Sequence, residues 1–277
     1  MITVLVPSRG RPELARRLRD TWNRTKRMQT TKIRFYLNDD DPHLNHYKQL
    51  INREEYTVGP DQATCFSWNL LAHSAISRGD QYCMLVGDDA QFETEGWDQK
   101  IVDFYNNYEK KDKILYVCPR DTTGKENLKW RRLTTKLNMN NNIEAFRNRP
   151  YKVDKFPSPV GCAHFVLHRN WIQTLGYFLP PQFWHWCIDS WLTKLAIRLG
   201  RCYVLPYVTI KSKKLTEDDT GQRLRTRFNI SERDNYTWTV TKQRYMLSDQ
   251  QALQKFIDDY PTDVKDLPKP ASPRLNP

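Results

Sequence analysis

Two adjacent carboxylates, Asp88 and Asp89, directly follow the apolar run at 81–86. A run of this kind is typical of a buried strand, and open α/β sheets bind their ligands beyond the carboxyl ends of the strands. Hard divalent cations prefer carboxylate oxygens and also accept phosphate oxygens as ligands. The pair therefore predicts a Mn²⁺ or Mg²⁺ site that links the protein to a diphosphate. Read alone, the same two residues could instead form a turn or cap a helix.

Two further loops are predicted at the same edge of the sheet, after the apolar runs at 2–6 and 32–37. The first could meet a phosphate with backbone N–H and guanidinium groups; its candidate residues are Pro7, Ser8, Arg9 and Arg11. The second could accept hydrogen bonds from a base or a ribose, with a plain acidic turn as the alternative; its candidates are Asp39, Asp40 and Asp41. The chain lacks both a P-loop and a G-x-G-x-x-G sequence, so the fingerprints of ATPases and dinucleotide-binding enzymes are missing.

Asp189 stands at the start of a predicted helix over 187–199, directly after an aromatic run at 183–186. A carboxylate beside large aromatic side chains loses hydration, which raises its pKa and improves it as a general base. The alternative is a carboxylate that only complements the helix macrodipole. The aromatic run supplies candidates for acceptor binding, because an indole can stack on a base; these are Trp184, His185 and Trp186.

The charge of the chain is unevenly distributed. Its 277 residues carry a formal net charge of +12, with basic residues concentrated at 9–34, 120–155 and 201–227. Such clusters indicate an anionic partner, such as nucleotide phosphates, DNA or RNA, and a solvated basic surface is an equal alternative. No stretch approaches the roughly 20 apolar residues that a membrane span needs.

The cysteines and the N-terminus bear on the cellular compartment. The six cysteines form no C-x-x-C pair and mostly lie inside apolar runs, which argues against a zinc or redox site. They predict buried, reduced thiols in a cytoplasmic protein, which means the host cytoplasm if the protein is viral. The first residues read as a strand and a turn, so no signal peptide is predicted.

The elements that must position these residues alternate between strands and helices. Strands are predicted at 2–6, 32–37, 81–86, 114–118, 160–167 and 202–210, and helices at 13–25, 61–78, 97–108, 169–176 and 187–199. This order predicts an α/β protein with a mostly parallel central sheet. The apolar stripe of the 61–78 helix is expected to include Phe66, Leu70 and His73. One domain is predicted over 1–260, with a polar excursion at 119–155 across the active face and a proline-rich, unpacked tail at 261–277.

Five segments follow one another in an informative order: VLVPSRGRPE at 4–13, YLNDDDP at 36–42, LVGDDAQFETEGWD at 85–98, VGCAHFVLHR at 160–169 and CIDSWLTKLAIRLG at 187–200. With these segments the chain resembles the GT-A fold glycosyltransferases, particularly the family-2-like enzymes common in bacteriophages. The resemblance implies a Rossmann-like α/β/α sandwich, with a nucleotide-sugar half at 1–118 and an acceptor half at 119–260.

The resemblance also implies roles for the candidate residues. The 7–11 loop, the acidic residues 39–41 and Asn69 would surround a nucleotide-sugar donor, expected to be a UDP-sugar. Asp88 and Asp89 would hold Mn²⁺ or Mg²⁺ against the diphosphate. Asp189 corresponds to the acid that deprotonates the acceptor hydroxyl in inverting members.

Two departures from the family pattern affect these roles. Gly87 stands at the first acidic position of the usual metal motif, which leaves a ribose contact there without its carboxylate. No histidine follows His185, whereas many relatives have one after the strand predicted here at 202–210. Lys211 could neutralise the leaving diphosphate instead, which would weaken the dependence on metal.

The leading hypothesis is therefore a glycosyltransferase, and its preferred acceptor is a hydroxymethylated pyrimidine in phage DNA. A protein or glycan acceptor competes with DNA. A sugar-nucleotide pyrophosphorylase would need a first loop richer in glycine. A non-catalytic nucleic-acid binder would explain the charge, but carboxylates gathered at strand ends would repel phosphate. The sequence leaves the oligomeric state open.

Overall fold

The computed structural model describes residues 1–123, 150–154, 163–212, 229–241 and 244–261. The strands are β1 (Ile2–Ser8), β2 (Lys32–Asn38), β3 (Tyr56–Gly59), β4 (Tyr82–Leu85), β5 (Ala90–Phe92), β6 (Tyr116–Asp121), β7 (Tyr151–Lys152), β8 (Phe165–His168) and β9 (Cys202–Ser212). The helices are α1 (Pro12–Thr25), α2 (Leu44–Leu50), α3 (Thr64–Ser77), α4 (Trp97–Asn107), α5 (Arg169–Leu175), α6 (Ile188–Arg198), α7 (Ile230–Thr241) and α8 (Arg244–Asp258). A short 3₁₀ turn, Arg53–Glu55, precedes β3.

These strands form one mixed sheet in the order β3-β2-β1-β4-β8-β6-β9-β5, with β7 paired to β9. The four strands β3, β2, β1 and β4 are mutually parallel, which agrees with the predicted parallel sheet and adds β3, a strand that was not predicted. On the other side β8 runs antiparallel to both β4 and β6, while β6 and β9 are parallel. The sheet curls into a half-barrel, so the expectation of a mostly parallel sandwich holds for the first half and is modified in the second.

The sheet has a separate apolar core on each face. Along β1, Val4 and Val6 face one core and Leu5 faces the other, because successive side chains of a strand point to opposite faces. Helices α1, α2 and α4 cover the first face, and α3, α5, α6 and α8 cover the second. Strands buried on both faces read as continuous apolar runs, which explains why β1 was recognisable from the sequence.

The predicted helices are confirmed to within a few residues, but one packing face is wrong. In α3 the buried residues include Trp68, Leu71 and Ala72, whereas Phe66 is 56% exposed. The predicted stripe failed because α3 is apolar around most of its circumference, so the spacing does not identify the side that meets the sheet.

Several elements were missing from the sequence prediction, namely α2, β3, β5, β7, α7 and α8. The first four are short, and α7 has no clear apolar period, which are the conditions under which sequence patterns predict least. Helix α8 is amphipathic, so its pattern was present in the sequence and was overlooked. Most of the predicted excursion at 119–155, the start of the 160–167 strand and residues 262–277 of the predicted tail lie outside the described residues. Within the described ranges, no helix is long and apolar enough to cross a bilayer.

Candidate active site

The loop after β1 binds the carboxylate of Asp88. Pro7 and Ser8 end β1, which lies beside β4, so the loop and Asp88 meet at the same edge of the sheet. The Ser8 hydroxyl donates to Asp88 Oδ2 at 2.7 Å, and the guanidinium of Arg11 lies 3.1 Å from Asp88 Oδ1. Tyr47, on α2, lies with its hydroxyl 2.7 Å from Ser8 Oγ and accepts from the Arg11 N–H at 2.8 Å. Burial raises the pKa of Tyr47, so the phenol stays protonated.

The acidic loop after β2 is joined to the same β1 loop. Asp41 is buried and accepts from the backbone N–H of Gly10 at 2.8 Å. Asp40 forms an ion pair with Arg9, and Asp39 is exposed to solvent. The structure thus brings together the two loops that the sequence placed around a nucleotide. The acids of the β2 loop differ in what they can do, since Asp41 orders the two loops and Asp39 remains accessible to solvent.

Polar groups at the ends of β2 and β3 extend this edge. The Tyr36 hydroxyl donates to the carbonyl of Pro60 at 2.9 Å, and the Asn38 amide donates to Asp61 at 3.3 Å. A Cβ at Gly59 would lie 2.4 Å from the Tyr36 hydroxyl oxygen, so only glycine allows this close approach. Tyr36 and Asp61 were not recognised from the sequence, because the short β3 that brings them to this edge was not predicted.

Asp89 is a carboxylate at this edge whose protonation is perturbed. Its pKa is raised to about 6, chiefly by burial and then by the neighbouring charges of Asp88 and Asp121. Crowding of like charges in a partly buried place is the condition that a bound cation relieves.

The carboxylates at this edge differ in their capacity to take the divalent cation that the sequence implies. Asp88 already binds Ser8 and Arg11, which leaves Asp89 as the carboxylate able to take a cation. No group of three or more His, Cys, Asp or Glu side chains that could hold a metal occurs within the described residues. One carboxylate still fits Mg²⁺ or Mn²⁺, since such ions commonly use one or two carboxylates together with substrate phosphates and water. The residues present therefore fit a cation that arrives with its diphosphate.

A second polar cluster lies beside Asp89, at the ends of β6, β8 and β9. The Ser212 hydroxyl oxygen lies 2.8 Å from His164 Nε2 and 3.3 Å from Asp121 Oδ2. Burial lowers the pKa of His164, which keeps the ring neutral, and its Nδ1 is buried without a hydrogen-bond partner. Ala90 pairs with Ser212 across the sheet, which brings this cluster next to Asp89.

Lys211 is not part of this cluster. It precedes Ser212 in β9, and neighbouring side chains in a strand point to opposite faces. Its side chain is exposed, while Ser212 contacts His164 and Asp121. Lys211 therefore lies on the other face of β9 from this cluster, and its contact with a leaving diphosphate stays a prediction.

The aromatic segment before α6 is held by α7. Burial lowers the pKa of His185, Asp234 opposes this shift, and the charge of Arg11 adds to it. The backbone N–H groups of Trp184, His185 and Trp186 all donate to Asp234 of α7. Trp186 is 42% exposed, so an indole face is available to a ligand at this side of the site.

Asp189 lies in the first turn of α6, one turn beyond the aromatic segment. Its side chain is exposed, and Oδ1 accepts from the N–H of Ser190 at 2.7 Å. The desolvation expected from the neighbouring aromatic residues is therefore not found, because those side chains pack elsewhere. An exposed carboxylate can still meet a ligand that enters from solvent.

Asn69 binds the backbone of the segment that follows α5. Its amide oxygen accepts from the N–H groups of Phe178 and Leu179 at 2.9 and 2.8 Å, and its amide nitrogen donates to the Leu179 carbonyl at 2.8 Å. Asn69 therefore holds the 178–179 segment against α3, and its contact with a nucleotide stays a prediction.

Sequence reading missed several residues of the site: Tyr47, Asp61, Asp121, His164, Ser212 and Asp234. Two of them gave a weak signal, because His164 lies in the 160–169 segment and Ser212 directly follows Lys211. The others come from elements whose place in the fold was unknown.

Solved structures with a similar fold include a mannosyltransferase. PcManGT from Pyrobaculum calidifontis, in complex with GDP-Man and Mn²⁺, matches with a TM-score of 0.55 and 12% identity over 92% of this chain and 69% of that one. Residues 1–349 of S. aureus TarS match with a TM-score of 0.50 and 10% identity over 93% of this chain and 82% of that one. Neither a family model nor a curated protein matches the sequence. The likeness shows a shared fold.

Proposed function

We propose that this chain is a glycosyltransferase of the GT-A type that moves a sugar from a nucleotide-sugar, in the first place a UDP-sugar, to an acceptor hydroxyl. The observation that carries the proposal is the meeting of the β1 loop, the β2 loop and the Asp88–Asp89 pair at one edge of the sheet. The fold shared with a mannosyltransferase bound to GDP-Man and Mn²⁺ supports it. In this proposal residues 1–260 form one catalytic domain.

The described residues divide the work of transfer between them. Ser8 and Arg11 orient Asp88, and Asp89 would hold a divalent cation against the donor diphosphate. The cation, when bound, neutralises the charge that develops on the leaving diphosphate. Asp189 takes the proton of the acceptor hydroxyl. The acceptor oxygen then bonds to the anomeric carbon as the bond from that carbon to the phosphate oxygen breaks.

For the acceptor we propose a hydroxymethylated pyrimidine in DNA, with a glycan or protein hydroxyl as the alternative. The exposed indole of Trp186 near Asp189 supports a stacked base. The pairing of basic residues in the 9–34 cluster favours the alternative. Carboxylates partner Arg9, Arg11, Arg16, Arg19 and Lys32, which reduces the positive surface available to a phosphate backbone.

A panel of nucleotide sugars tests the function without knowledge of the acceptor. We expect slow release of UDP or another nucleoside diphosphate with Mn²⁺ or Mg²⁺ present, because transferases hydrolyse their donor at a low rate. Mass spectrometry of nucleosides from treated hydroxymethylated DNA, and of glycans offered in parallel, then identifies the acceptor. Absence of both nucleotide-sugar binding and hydrolysis across the panel would contradict the proposal and leave a nucleic-acid binder.

A further inference from the structure

Asp234, on α7, is a buried carboxylate to which the proposed chemistry gives no task. Its exposed fraction is 0%. It accepts hydrogen bonds from three consecutive backbone N–H groups, those of Trp184, His185 and Trp186, at 2.9, 2.8 and 2.6 Å. A carboxylate can remain buried when N–H donors replace its lost hydration. The converse also holds: three successive N–H groups converge on one point only while this segment keeps its turn.

The residues on either side of Asp234 contact the same segment. The guanidinium carbon of Arg233 lies 3.7 Å from the centre of the Trp184 ring, which is a cation–π contact. The Cys187 thiol donates to Asn235 Oδ1 at 3.7 Å. Cys187 adopts a left-handed backbone with φ of 65°, a conformation that costs energy for a residue with a side chain. Contacts from α7 therefore lie against a segment that contains a residue in an unfavourable backbone conformation.

Helix α3 holds the other end of the segment. The Cys65 N–H donates to the Trp184 carbonyl at 3.0 Å. Asn69 binds the backbone of Phe178 and Leu179, as described above. The stretch from 178 to 187 is thus attached to α3 at its beginning and to α7 at its end.

The attached segment carries a buried imidazole and an exposed indole. His185 Nδ1 is buried without a hydrogen-bond partner, although a buried polar atom is normally satisfied. Trp186 exposes an indole, and Asp189 follows on the first turn of α6. An unsatisfied nitrogen and an aromatic face beside a carboxylate together suit a hydroxyl-bearing ligand with a planar or sugar ring.

We propose that Asp234 is a positioning residue that holds Trp184–Cys187 in the conformation that binds the acceptor, so that His185 and Trp186 meet it next to Asp189. This inference rests on the proposed glycosyl transfer. It extends the acceptor side to α7, some 50 residues further along the chain.

The test separates the acceptor side from the donor side in the variant Asp234→Asn. Asparagine replaces one carboxylate oxygen with an NH₂ group, which cannot accept a hydrogen bond. The N–H groups of the segment therefore lose at least one partner. We expect hydrogen exchange of the 183–187 peptide to rise about tenfold or more, while peptides of β1 and β4 keep their protection. Acceptor-dependent transfer should lose about 10–100-fold in kcat/KM, mainly through acceptor KM, because misplaced groups reduce productive binding. Hydrolysis of the donor without acceptor should stay within about twofold.

The matched control is Glu232→Gln, on an exposed position of the same helix. It should leave exchange, transfer and hydrolysis unchanged. If Asp234→Asn does not fold, Arg233→Ala replaces it, because Arg233 is exposed and only its ring contact is lost. The same pattern is then expected with smaller amplitude.

Equal losses of transfer and donor hydrolysis would overturn the proposal, since they would reveal a purely structural role. Unchanged exchange at 183–187 in the variant studied would overturn it as well. A wild-type protein that neither binds nor hydrolyses nucleotide sugars would instead contradict the proposed function. The exchange measurement would still show whether Asp234 holds the 183–187 segment in place. The two failures are thereby distinguishable.

Discussion

At the scale of single residues, Asp88 and Asp89 are neighbours in sequence with different surroundings. Asp88 is buried and bound by Ser8 and Arg11, whereas Asp89 is partly buried among like charges. The first carboxylate therefore organises the loop, and the second is suited to a ligand. A sequence motif of two acids does not distinguish these tasks, because they depend on β1, α2 and the end of β6.

The variant Asp89→Asn should weaken donor binding and stabilise the ligand-free protein. The pKa of Asp89 rises from 3.8 to about 6 on folding, so above pH 6 the folded state holds a charge that it disfavours. This costs at most about 2 kcal/mol after allowance for solvent screening, which corresponds to a few degrees in Tm. The gain in Tm should be largest above pH 6, shrink as the pH falls through 6, and vanish below about pH 4.

Thermal melts across pH and calorimetry with UDP, each with and without Mn²⁺, check both parts of this prediction. Asp103→Asn is the control, because Asp103 is exposed on α4. An unchanged metal dependence of UDP binding in Asp89→Asn would show that the metal assignment is wrong.

The variant Asp189→Asn should lose transfer but keep the donor. Asparagine preserves the shape of the side chain and cannot take a proton, so turnover should fall about 10²–10⁴-fold. UDP affinity by calorimetry should be unchanged, since Asp189 is not proposed to touch the nucleotide. Asp258→Asn on α8 serves as an exposed control. Near-normal turnover would reduce Asp189 to a charge at the helix N-terminus, and loss of UDP binding would move it to the donor side.

At the scale of elements, His168 joins β8 to α5. It caps α5 by accepting from the Asn170 N–H with Nδ1 at 3.2 Å, and burial lowers the pKa of His168 to about 3. Below about pH 6.5 the unfolded chain takes a proton that the folded protein refuses, so stability is retained above that pH and lost as the pH falls toward 3.

Replacing His168 with Asn should flatten this acid dependence. Asparagine is a good N-cap and does not titrate, so the slope of unfolding free energy with pH between 6 and 4 should fall by about 1 kcal/mol per pH unit. The lost ring contact with Tyr82 lowers stability by a constant amount and leaves the slope unaffected. Urea unfolding at several pH values measures the slope, with His43→Asn at an exposed position as control. A slope equal to that of the wild type would contradict the prediction.

At the scale of the whole molecule, the net charge is +12, but fewer basic side chains are free to bind an anionic partner than the sequence suggests. Carboxylates pair with half of the basic residues of the 9–34 cluster. Most of the 120–155 cluster lies outside the described residues. A nucleic-acid footprint, if DNA is the acceptor, is therefore expected on 120–155 more than on 9–34.

Duplex binding should then weaken steeply with salt, because each neutralised phosphate releases counterions. Replacing Arg131 and Arg132 with Gln should reduce the slope of log K against log salt by about two. Replacing Arg19 with Gln should leave the slope unchanged, because Arg19 is paired with Glu55. Fluorescence anisotropy over a salt series measures these slopes. Binding that is absent at low salt, or independent of salt, would remove DNA from the possible acceptors.

The sequence by itself determined the α/β class, most strand and helix positions, and the three polar loops at one sheet edge. These follow from local periodicity and from the rule that parallel strands end together. Only the tertiary structure decided which side chains contact one another at these loops. Asp88 meets Arg11 across 77 residues, Asp234 binds Trp186 across 48, and Ser212 binds Asp121 while Lys211 is exposed. Such pairings depend on strand order, on register and on which face of a helix is buried, and these are settled by packing between elements distant in the chain.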